Sequence, residues 1–150
     1  MKAANKLLED KDEIIANFES MKDVLFDTGP LATKQVELQN EMEIVTELIQ
    51  QCITENANVA LDQGEYQRRY DGLVQRFDTT KEDLEKVTGQ IKEKVTRRQT
   101  MAAFLAELKK QDELLTDFDP LLWHSLVDYV IVFEEEKVQI IIFKNGTDIL

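Results

Sequence analysis

Few residues of this chain are of types that carry chemistry, and their spacing limits what each can do. There is one cysteine, Cys52, and one histidine, His124. A tetrahedral zinc site needs several Cys or His ligands, so the chain cannot build one alone. Cys52 falls on an apolar helical seam, where a free cysteine serves as a small buried hydrophobe. His124 follows Trp123 on a short helix with no second ligand near it in sequence, and reads as a surface or packing residue. Ser125 adjoins it, but a nucleophilic serine needs a base and an orienting acid, and no such set is present. Asp62 and Glu65 are a carboxylate pair three residues apart. Ahead of a helical run, that spacing makes them a capping box with Asp in place of Ser or Thr. The basic doublets Arg68-Arg69 and Arg97-Arg98 are of a type that meets phosphate. Their acidic neighbours favour a solvated, ion-paired helix face instead. No catalytic, cofactor-binding or metal-binding residue is therefore assigned.

Composition excludes further classes. The 150 residues hold 18 Lys and Arg against 30 Asp and Glu, a net charge of −12. Such a balance opposes non-specific binding to nucleic acid and to anionic membranes. The apolar runs fall far short of the roughly 20 residues needed to span a bilayer. The opening "MKAANKLLEDKDE" lacks the apolar core of a secretory signal, and a lone cysteine fits a reducing compartment. A cytoplasmic, non-membrane protein is expected. Five Gly and two Pro favour long uninterrupted elements.

The elements follow from the apolar period. Over residues 2–26, Leu7, Ile14, Phe18, Met21 and Leu25 share one helical face. "DTGP" at Asp27–Pro30 then ends the helix, since Pro suits a first turn but not an interior. A second helix is predicted over 31–60. Its seam is Leu31, Gln35, Leu38, Met42, Val45, Ile49, Cys52, Asn56 and Val59, with the alternating four-three spacing of a coiled coil. A third is predicted over 63–115, with Tyr66, Tyr70, Leu73, Phe77, Thr80, Leu84, Val87 and Ile91 on its seam. Folding at Leu61/Asp62 gives an antiparallel hairpin whose partners sum to about 123, because both helices rise equally per residue. The first helix then continues the arm beyond the "DTGP" break. The expected fold is mainly α: a long antiparallel coiled-coil hairpin with a broken arm over 1–116, then a short helix and a small β-hairpin over 117–150.

The C-terminal segment has its own signals. Asp119 and Pro120 mark a helix start. "YVIVFEEEKVQIIIFKNGTDI" reads as two strands joined at Glu135-Glu136, with a second turn at Asn145-Gly146. The run Ile140–Phe143 is apolar on both faces, as in a strand covered on both sides. An isolated two-stranded hairpin is marginal in water, so the tail reads as the closing piece of a domain with further strands elsewhere.

"FDPLLWHSLVDYVIVFEEEKVQIIIFKNGTDI" resembles the C-terminal end of large serine recombinases, the site-specific integrases and transposases of mobile elements. The matching residues are Phe118-Asp119, Leu122-Trp123, Leu126-Val127-Asp128 and Phe143-Lys144-Asn145-Gly146-Thr147. Asp148 stands where Glu is commoner in that family. Upstream, "NKLLEDKDEIIANFE" and "ENANVALDQGEYQRRYDGLVQRFD" are similar to the same branch, so the likeness runs along essentially the whole chain. The motifs are specific as a set and weak singly, and none is a catalytic fingerprint.

The resemblance implies the coiled coil inserted into a zinc-ribbon domain, followed by the return of the chain into that domain. The catalytic serine and the zinc cysteines would lie upstream, so zinc is expected there and no cofactor in this chain. DNA contact would come only through those missing domains. The expected partners are other recombinase subunits, met through the coiled coil, with a homodimer among the assemblies, and a recombination directionality factor. The implied function is to control synapsis and directionality in DNA recombination. The alternative is a self-standing coiled-coil adaptor or regulator. Val59, Leu61 and Tyr66 lie where the chain reverses, a place where a hairpin covers apolar groups poorly, and they are the candidate partner contacts.

Overall fold

The computed structural model describes residues 2–59, 62–111, 113–133, 138–146 and 148–149. In chain order the elements are α1 (Lys2–Glu9), α2 (Lys11–Leu25), α3 (Gly29–Asn58), α4 (Gln63–Lys110), α5 (Pro120–Leu126), β1 (Val127–Phe133), β2 (Val138–Phe143) and β3 (Asp148–Ile149). The protein is mainly α, with long antiparallel helices, an interrupted arm, then a short helix and a small antiparallel sheet. The chain divides into two units, residues 27–94 and residues 1–26 with 95–150.

The unit of residues 27–94 is the coiled-coil hairpin. Asp27 Oδ1 accepts the Gly29 N–H at 2.8 Å, and Pro30 occupies the first turn of α3. At the far end Val59 turns to an extended conformation, its N–H still bonded to Glu55 O. α4 starts on Asp62, whose Oδ1 accepts the Glu65 N–H at 2.9 Å. Leu38, Val45 and Cys52 of α3 are buried together with Thr80 and Val87 of α4. The deepest seam positions thus carry small or medium side chains. The bulkier Met42, Ile49, Tyr70, Phe77 and Leu84 flank them, half-buried. Thr80 is satisfied locally, its hydroxyl donating to Arg76 O at 2.8 Å.

Polar contacts on the seam's edges read out the register. Gln35 Nε2 donates to Thr88 Oγ1 at 2.9 Å, Arg76 Nε to Glu41 Oε1 at 2.6 Å, and Gln63 Nε2 to Asn56 Oδ1 at 3.2 Å. Arg69 pairs with Glu55, and Lys94 Nζ donates to Asp27 O. The residue numbers of these pairs sum to roughly 120, as equal rise in two antiparallel helices requires.

The second unit holds a mixed core. Ala3, Leu7 and Leu8 of α1 are buried with Phe104, Leu105 and Leu108 of α4, Leu122 and Leu126 of α5, Val127 of β1 and Phe143 of β2. Ile14, Ile15 and Phe18 of α2 pack against this cluster. α5, β1 and β2 therefore share one core with α1 and the last turns of α4.

Two helix limits differ from the sequence-based expectation. The helix expected over 2–26 is interrupted at Asp10, which sits at φ −93°, ψ 5°. Beside the interruption Lys11 Nζ reaches Gln111 O. The helix expected over 63–115 ends at Lys110. There the Gln111 N–H bonds to Leu108 O, three residues back. Leu115 is held from outside: its N–H donates to Asn5 Oδ1 at 2.9 Å, and its carbonyl accepts from Asn5 Nδ2 at 3.1 Å. One side-chain amide thus takes the place of two helical partners.

α5 is capped as its sequence requires, Asp119 Oδ1 accepting the N–H groups of Leu121 and Leu122. The sheet order is β1-β2-β3, all antiparallel. β1 pairs with β2 from Val127↔Phe143 to Phe133↔Val138, with a register shift between Val127 and Tyr129. The expected turn at Glu135-Glu136 lies outside the described residues. At the second turn Gly146 adopts φ 86°, a conformation suited to glycine, and its N–H bonds to Phe143 O. β3 adds a third strand to the expected hairpin, pairing Ile149 and Asp148 with Ile141 and Ile142.

Three substitutions test these contacts. Leu108→Ala should destabilise the protein by about 3 kcal/mol, since a fully buried leucine leaves a cavity. Val36→Ala, at a side chain 54% exposed, should cost under about 0.5 kcal/mol in the same urea titration. Asn5→Ala should cost about 1–3 kcal/mol, because two backbone groups lose their partner. Faster amide exchange at Leu115, with little change at Val45, would be its signature.

Candidate partner-contact surface

The sequence places Val59, Leu61 and Tyr66 at the reversal of the hairpin, and the structure treats them differently. Val59 ends α3 with 58% of its surface open. Beside it a broad, shallow recess is lined by Gln50, Gln51, Thr54, Glu55, Asn58 and Val59. Thr54 Oγ1 and Asn58 Nδ2 bond back to carbonyls of their own helix, Gln50 O and Thr54 O. Two of the recess's polar side chains are thus bonded within α3, while the valine is not covered. Leu61 lies outside the described residues. Tyr66 is half-buried, its ring 6.0 Å from that of Tyr70. It lines a smaller recess with Cys52, Glu65 and Arg69. Across it, the Glu55 carboxylate hydrogen-bonds Arg69 and holds its guanidinium proton more tightly than usual. Tyr66 is thus half-buried on its own hairpin, while Val59 stands open.

The other chemically capable residues are occupied structurally or stand open. Cys52 is buried in the seam. His124 is exposed, and its carbonyl accepts from Lys144 Nζ at 2.9 Å. Ser125 Oγ donates to Leu122 O. Arg98 lies 3.4 Å from Asp23, and Arg68 is exposed. Among the described residues no group of three or more His, Cys, Asp or Glu is placed to hold a metal ion. No described helix is long and apolar enough to cross a membrane.

A second open apolar surface was not singled out from the sequence. Tyr129, Val130, Ile131 and Val132 of β1 are 53%, 38%, 39% and 57% exposed. Successive strand residues point to opposite faces, so β1 is open on both faces as well as lying at the sheet's edge. Among its described side chains, Val127 is the one in the core. The signal in the sequence was the run Val130–Phe133, apolar at four consecutive positions, which alternation for a half-covered strand would not produce.

No family model, characterised protein or solved structure matches this chain.

Burial makes Cys52 a probe of the seam. A thiol reagent such as 5,5′-dithiobis(2-nitrobenzoate) should react with it slowly in buffer and at the free-thiol rate in denaturing urea. Equal rates in both would mean that the seam is open.

Proposed function

We propose that this chain is the non-catalytic coiled-coil region of a site-specific serine recombinase, together with a C-terminal segment that helps close a zinc-ribbon-type domain. Its role is contact between recombinase subunits, through which synapsis and directionality are controlled. The observation that carries the proposal is Val59, an apolar side chain left open where a charged, antiparallel two-helix arm reverses. An arm of this kind brings a small apolar contact to a partner while its acidic flanks stay in water. The C-terminal motifs from Phe118 to Thr147 supply the link to recombination, by resemblance. The uncovered strand β1 fits the second part of the proposal, since a strand apolar on both faces suits a position inside a larger sheet. The zinc and the DNA-binding surfaces would belong to the missing domains, and a directionality factor would act on the same arm.

The test uses a recombinase that carries this segment. Val59→Asp places a charge where an apolar partner would have to desolvate it, whereas water tolerates it in the free arm. The variant should keep its helicity and melting temperature and bind single DNA sites normally. Synaptic complexes resolved on a native gel should fall by about tenfold or more, equivalent to about 1.4 kcal/mol of lost contact. Wild-type amounts of both complexes, with directionality unchanged, would remove Val59 from the contact and the proposal with it.

A further inference from the structure

We draw no further inference here: the strongest candidate, the edge strand β1 with Tyr129, Val130, Ile131 and Val132 open on both faces, belongs to the surface already invoked for the proposed function, and nothing among the described residues shows what else covers it.

Discussion

A helix with apolar residues every three and four positions cannot stay single in water, because its stripe must be buried against a partner stripe of the same period. In this protein α3 and the first part of α4 satisfy each other. With α3 and α4 antiparallel, one matched pair fixes the pairing of the other positions through equal rise per residue. Gln35 meets Thr88 and Glu41 meets Arg76 for that reason. These contacts report the register more than they create it. An exposed ion pair such as Arg76–Glu41 contributes under about 1 kcal/mol. Burial of Leu38, Val45, Cys52 and Val87 is the larger effect.

The unit of residues 1–26 and 95–150 solves a different problem. A short helix and three short strands bury too little surface to stand alone. They are completed by residues distant in sequence, Leu7 and Leu8 from one end of the chain and Phe104 and Leu108 from α4. The link from α4 to α5 leaves helical geometry and needs other hydrogen-bond partners for its backbone. Asn5 supplies two of them at Leu115, and Lys11 supplies one at Gln111. The N-terminal helices thus provide both apolar surface and polar anchors for that link. At the other side of α5, Lys144 bonds through its backbone to Leu126 O and through its side chain to His124 O, fixing the end of β2.

Much of this was legible from periodicity and caps. The seam positions, the break at Asp27–Pro30, the Asp119 cap and the turn at Gly146 each have a local cause that sequence alone expresses. The interruption at Asp10 does not. No Gly or Pro marks it, and the apolar spacing runs through it, from the buried Leu7 and Leu8 to Ile14 and Ile15. The end of α4 was hidden in the same way: Leu115 keeps the apolar period although its backbone belongs to Asn5. β3 is two residues long, too short to display any period. Of the proposed contact surface, Val59 was legible as a seam residue at a reversal. Tyr66 was legible as an aromatic near the reversal, but its ring neighbour Tyr70, 6.0 Å away and one turn on, shows only in the structure.

The two open apolar surfaces differ in what could have produced them. Val59 is a single side chain at the end of a helix, and isolated surface hydrophobes are ordinary in soluble proteins. Its interest comes from position, since an end residue can meet a partner without the flanking charges being desolvated. β1 is different in kind. Four consecutive apolar residues at a sheet edge are an aggregation hazard that proteins usually blunt with charge, proline or a cover. Within Tyr129–Val132 there is no charge and no proline, and Asp128 stands just before them. A strand of that composition is economical only where something covers it. The proposed cover, a neighbouring part of a ribbon-type domain, would account for both the edge and the two faces at once. A partner docking on one face would account for only half of the exposed side chains.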